Sequence, residues 1–134
     1  MDYMQSLNHI QEFFGIKINV VKVPALREEL SMGVVEIYKP DEKEHESRSK
    51  VCAAVYERSV EMLMKQYKGK NALIIPAAQT DSLEHIILIT IPMSDQFLSE
   101  FMGSVRSMWP KTAPDIYYLG TPEENPYKMR IEMG

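Results

Sequence analysis

The sequence predicts an α+β fold: two layers, a mainly antiparallel sheet of five or six strands with helices on one face. Apolar residues at helical spacing alternate along the chain with short β-branched runs. Two of these runs, 72–75 and 85–91, would be joined by the loop at 76–82, which favours an antiparallel sheet. The length of 134 residues suits one domain, so residues 1–134 are predicted to form a single unit.

Each predicted helix has an apolar stripe and a residue that starts or ends it. Gly15 follows the first stripe, and Pro24 opens a short second helix. Gly69 follows the longest stripe, and Ser94 is placed to cap the last helix. The predicted helices span residues 3–14, 25–32, 46–68 and 95–109.

The predicted strands are short and rich in β-branched or aromatic residues. The first strand changes the phase of its alternation at Val21 and Val23, which suggests a bulge or a strand end. The strongest strand has apolar residues on both faces, and the last alternates cleanly, as an edge strand does. The predicted strands span residues 16–20, 34–38, 72–75, 85–91, 116–119 and 127–133.

The elements between residues 33 and 119 follow the order β-α-β-β-α-β, which is that of a ferredoxin-like core. This order predicts both long helices on one face of the sheet. Residues 1–32 would add an N-terminal helix and strand, and residues 120–134 would add a C-terminal edge strand. The alternative is a three-layer α/β arrangement, in which the N-terminal helix covers the second face.

Composition argues against several classes of function. A net charge of −4 disfavours nucleic acid as a partner. The apolar runs are far shorter than the roughly 18 residues of a membrane span, and a single cysteine excludes a disulfide scaffold. The first residues lack the pattern of a signal peptide, so a cytoplasmic setting is expected. Neither a glycine-rich nucleotide loop nor an EF-hand spacing occurs, and no cofactor or metal is predicted.

Few residues are candidates for binding a small ligand. His85 opens the strongest strand and follows Asp81 in the preceding loop, so an imidazole and a carboxylate could meet there. Tyr117 and Arg48 complete the candidate set. Cys52 falls on the apolar stripe of the long helix and is interpreted as a small hydrophobe, although its burial is left open.

The apolar residues point more strongly to an interaction surface. Ile86 and Leu88 form a second apolar face of their strand, and something must cover it. Met129 and Met133 lie on the predicted edge strand, where a partner could add a strand. The chain is also methionine-rich, with ten methionines that suit either core gaps or an adaptable binding surface.

The sequence therefore predicts a non-catalytic protein-interaction or assembly module that self-associates as a homodimer or larger homo-oligomer. The alternative is a small-molecule sensor or small enzyme, with its site near the loops 39–46 and 76–85. An enzymatic activity is the less favoured expectation, because no catalytic motif occurs.

Overall fold

The computed structural model describes residues 3–31, 50–77, 83–109, 114–121 and 123–124. These residues form four helices and one four-stranded antiparallel sheet, a mixed α+β architecture. The helices are α1 (Tyr3–Phe14), α2 (Arg27–Ser31), α3 (Lys50–Tyr67) and α4 (Asp95–Met108). The strands are β1 (Asn19–Pro24), β2 (Asn71–Ile75), β3 (Glu84–Thr90) and β4 (Asp115–Tyr118).

The strands lie in the order β1-β3-β2-β4, and every neighbouring pair is antiparallel. In a ferredoxin-like core, the last strand (predicted at 116–119) would lie beside the first strand of that core (predicted at 34–38). In the structure, β4 instead pairs with β2. The predicted strands 34–38 and 127–133 fall outside the described residues. The ferredoxin-like order and the count of five or six strands are therefore not confirmed.

Helices cover both faces of the sheet, so the two-layer prediction, with both long helices on one face, is wrong for the described residues. Residues of even number in β2 and of odd number in β3 pack beneath α3. Their neighbours of opposite parity pack beneath α1 and α4. The first set includes Ala72, Ile74, Ile87 and Ile89, and the second includes Leu73, Ile75, Ile86 and Leu88. The three-layer alternative, with the N-terminal helix on the second face, is the arrangement observed.

The two-sided burial also explains the change of phase in β1. Val20 packs toward α1 and α4, whereas Val21 and Val23 pack toward α3. The register is continuous from Asn19, opposite Ile89, to Pro24, opposite Glu84, so the expected bulge is absent from this strand. The apolar residues of β1 do not alternate strictly because side chains on both faces of the strand pack into a core.

The helix ends follow local backbone chemistry. The hydroxyl of Ser94 accepts a hydrogen bond from the backbone N–H of Phe97 at 3.3 Å, which confirms the predicted cap of α4. Gly15 follows α1 with φ of +65°, a left-handed conformation that glycine adopts without the steric cost of a Cβ. The first strand starts later than predicted because Gln11 uses its side-chain carbonyl to accept from Ile18 N at 2.8 Å, within the turn.

None of the helices in the described residues combines the length and apolar character that crossing a membrane requires.

Candidate functional site

Among the described residues, the densest group of charged and polar contacts surrounds Glu29 in the short helix α2. Glu29 is only 3% exposed, whereas the other four residues of α2 are exposed. The cluster joins α2 to Arg58 on α3 and to His85 on β3. A carboxylate that is buried must be compensated by donors, and the contacts of Glu29 meet that condition.

The Glu29 carboxylate accepts four hydrogen bonds. Arg58 Nε donates to Oε2 at 2.6 Å, and Arg58 Nη2 donates to Oε1 at 2.7 Å. The N–H of Leu26, which immediately precedes α2, and Nε2 of His85 each donate to Oε1 at 2.9 Å. The two contacts with Arg58 form a two-point guanidinium–carboxylate pair, the strongest geometry for such an interaction.

These donors hold Glu29 in its ionised form. The hydrogen bonds from Arg58 lower the pKa of the Glu29 carboxyl to about 2, against the opposing effect of burial, with further help from Leu26 N and His85. The same pair raises the pKa of Arg58 above its ordinary value. The ion pair therefore persists through neutral and mildly acidic pH.

His85 is completely buried, and both of its ring nitrogens have partners. Nδ1 accepts a hydrogen bond from the backbone N–H of Ala77 at 2.9 Å, so it carries no hydrogen in this geometry. The hydrogen is thereby assigned to Nε2, which donates to Glu29. A ligand could hydrogen-bond to the His85 ring only by displacing one of these partners.

Arg58 also ties the cluster to the end of β1. Its Nη2 donates to the carbonyl of Pro24 at 2.8 Å, and the backbone N–H of Ala25 donates to the carbonyl of Leu83 at 2.9 Å. The Arg58 side chain stays 30% exposed, so one edge of the cluster reaches solvent. The whole arrangement positions α2 rather than presenting free reactive groups.

The other predicted ligand residues do not join this cluster in the described structure. Tyr117 pairs across the sheet with Ala72, which pairs with Ile89, four residues along β3 from His85. That offset is about 13 Å along the strand, too far for a shared site with His85. Tyr117 instead stacks on Tyr56 of α3, with ring centroids 4.2 Å apart. Asp81 and Arg48 lie outside the described residues.

The predicted interaction residues of β3 lie in the core. Ile86 and Leu88 are 4% and 0% exposed and pack beneath α1 and α4. The face that they form is covered by the chain itself, so the argument for a partner on that face is wrong. Met129 and Met133 lie outside the described residues.

The described residues offer neither an exposed cysteine nor a group of side chains that could bind a metal ion. Cys52 is buried, and its thiol donates to the carbonyl of Ile74 at 3.4 Å, in keeping with its interpretation as a small hydrophobe. Within the part of the chain that the structure describes, no group of three or more His, Cys, Asp or Glu side chains could hold a metal ion. The acidic segment 41–46 lies outside that part.

Sequence reasoning missed Glu29 and Arg58. Glu29 belongs to a short polar stretch, Arg27 to Glu29, in which nothing distinguishes the buried residue from its neighbours. Arg58 gave a weak signal: it lies seven residues after Val51, beside the buried stripe of α3. A charge at the margin of an apolar stripe indicates a partner from another element.

Three exposed leucines belong to the segments that carry this cluster, and we name them the leucine surface: Leu26, Leu30 and Leu83. They are 48%, 36% and 75% exposed. Leu26 and Leu30 are one helical turn apart, and Leu30 N donates to the Leu26 carbonyl. Leu83 lies next to this segment, because its carbonyl accepts a hydrogen bond from the backbone N–H of Ala25 at 2.9 Å.

Comparisons with protein-family models, with curated proteins and with solved structures find no match for this chain.

Proposed function

We propose that this chain is a non-catalytic assembly module that self-associates through the leucine surface. The observation that supports the proposal most is the presence of three exposed leucines on or beside α2, a helix whose position is fixed by buried polar contacts. Apolar side chains that stay exposed on a rigid support are typical of interaction surfaces.

The state of the titratable groups favours binding over catalysis. In the described residues, Glu29 and His85 spend their hydrogen-bonding capacity on each other, on Arg58 and on the backbone. A general base needs a nitrogen or oxygen that can take a proton from a substrate. The cluster therefore suits a structural role, which is to hold α2 and the leucine surface in place.

The apolar character of the leucine surface suits a second copy of the same chain. Leu26, Leu30 and Leu83 are all exposed and carry no charge. In a two-fold dimer the same surface meets itself, and an uncharged apolar surface meets its own copy without like-charge repulsion.

The association is expected to be weak. Three leucines cover much less than the roughly 800 Å² per partner of a standard stable interface. The leucine surface is then the centre of a transient contact, and concentration decides how much dimer forms. We expect a dissociation constant of about 1 mM, which corresponds to a binding free energy of about 4 kcal/mol. The dimer should therefore become measurable only as the protein concentration approaches that value.

Sedimentation equilibrium over a concentration series tests the proposal. The average mass should rise from 15.5 kDa toward that of a dimer as the concentration increases. Leu26→Ser combined with Leu83→Ser should return the mass to the monomer value. Phe13→Ser is the matched control, because Phe13 is 77% exposed but lies on α1 in the opposite layer. A wild-type chain that stays monomeric at all concentrations, or a control variant that dissociates equally, would overturn the proposal.

The alternative, a small-molecule site near the loops 39–46 and 76–85, draws less support. Residues 39–46 and 78–82 lie outside the described structure, and its strongest candidate, His85, is sealed between Glu29 and Ala77.

A further inference from the structure

The two ends of the α1–α4 helix pair are packed in different ways. At the C-terminal end of α1, Phe14 makes edge contacts with Phe97 and Phe101, with ring centroids 5.0 and 6.0 Å apart. At the other end, a cavity of about 400 Å³ opens between the two helices. Its described lining consists of Gln5, Ser6, His9, Ile10, Ser104, Ser107 and Met108.

The cavity exists because short side chains occupy positions where the rest of the interface has long ones. Along α4, the spacing of Phe97, Phe101, Ser104 and Met108 keeps all four residues on the side that faces α1. Ser104 therefore interrupts a stripe of large residues. On α1, Ser6 lies one turn before Ile10 on the side facing α4.

We propose that this cavity is a binding site for a small, uncharged, mainly apolar molecule that carries a hydrogen-bond donor. Its volume lies within the range of about 300–1,000 Å³ that is typical of small-molecule sites. Within the described residues, the lining has no Asp, Glu, Lys or Arg, and its only titratable member is the exposed His9. A charged ligand would find no opposite fixed charge there, and Ile10 and Met108 supply apolar contact.

The serine hydroxyls explain the preference for a donor on the ligand. Ser104 Oγ donates to the carbonyl of Glu100 at 3.2 Å, and Ser107 Oγ donates to that of Gly103 at 3.1 Å. Because each hydroxyl hydrogen is committed to the helix, each oxygen presents its lone pairs as an acceptor. A phenolic O–H or an indole N–H is the kind of group that these acceptors would bind.

This inference does not rest on self-association, because the cavity and the leucine surface lie in opposite layers of the fold. A ligand in the cavity would contact both α1 and α4 and so stabilise the helix that covers the second face of the sheet. Binding should therefore raise the melting temperature of the protein, as any ligand of the native state does.

Titration with indole, followed by two-dimensional NMR of the whole chain, tests the site. Saturable chemical-shift changes should centre on the lining residues. 1-Methylindole, which lacks the N–H donor, should bind about 2- to 10-fold more weakly, the effect of one net hydrogen bond. Indole-3-carboxylate, of similar shape but charged, should bind more weakly still.

Ser104→Leu should fill the cavity and raise the dissociation constant for indole by at least about tenfold, the effect of roughly 1.4 kcal/mol. Ser99→Leu, on the exposed side of the same helix, is the matched control and should leave binding unchanged. Ser107→Leu serves as a second filling variant if Ser104→Leu lowers the melting temperature. The proposal is overturned if indole gives no saturable shifts at the lining residues, or if both filling variants bind as the wild type does.

Discussion

Helices α1 and α2 are attached to the same sheet by opposite kinds of contact. α1 buries Leu7 and Ile10 and packs Phe14 against the aromatic residues of α4. α2 buries only Glu29, and Leu30 and the preceding Leu26 stay exposed. Apolar attachment scales with the volume and area that are buried, whereas polar attachment depends on charge and on every donor keeping its partner. The two helices should therefore detach under different conditions.

The largest effect is expected from loss of apolar attachment at α1. Leu7→Ala removes a side chain that is 1% exposed and should lower the free energy of unfolding by about 2–5 kcal/mol, through lost transfer free energy and the cavity left behind. Urea denaturation measures the change. Glu12→Ala, on the exposed side of the same helix, is the control and should stay within about 0.5 kcal/mol of the wild type. If Leu7→Ala lowers the free energy of unfolding only slightly, α1 contributes little to the stability of the core.

A smaller but more local effect is expected at α2. Glu29→Gln keeps the shape of the side chain and removes its charge, so Arg58 loses its ion pair in a largely buried setting. The free energy of unfolding should fall by about 3 kcal/mol. Hydrogen exchange should accelerate at the amides of α2 and not at those of α1. Glu28→Gln, at the exposed neighbouring position, should change neither quantity, and equal exchange at both helices would contradict the comparison.

Acid should reproduce part of this effect without a mutation. The pKa of Glu29 is about 2 in the folded chain, against an ordinary value of 4.5, so the unfolded chain binds more protons between these values. The stability from ionised Glu29 is present above about pH 4.5 and is lost as the pH falls toward 2. By about pH 3, the difference in unfolding free energy between wild type and Glu29→Gln should shrink by about 2 kcal/mol. A difference that stays constant with pH would show that the charge of Glu29 does not hold α2.

What the sequence could predict depends on whether an element is set by contacts local in the chain or by contacts between distant residues. α1 and α4 were placed within a residue or two, because their apolar stripes, Gly15 and Ser94 are all local signals. The first strand was placed about three residues early, because its pairing with β3 and the Gln11 contact cannot be read from alternation. Coverage of both faces was visible in 85–91, but which element covers the second face depends on the fold.

The candidate site was predictable only in part. His85 was selected for its place at the start of a strand, and it does lie within the polar cluster. Its partner Glu29 is 56 residues away, and Arg58 is 29 residues from Glu29. No periodicity links such distant positions, since their meeting depends on how α2, α3 and β3 pack. Two short serines in facing helices likewise look like ordinary surface positions until the helices are placed side by side.

The burial of Cys52 gives the chain an internal reporter of its own opening. Cys52 is the single thiol of the sequence, and it is sealed between α3 and β2. A thiol reacts as the exposed thiolate, so a thiol reagent can modify Cys52 only in molecules where this layer has separated. Its labelling rate therefore measures the population of open molecules, with no added probe. Slow labelling in native buffer would show a tightly closed α3 layer, and rapid labelling would show one that opens readily.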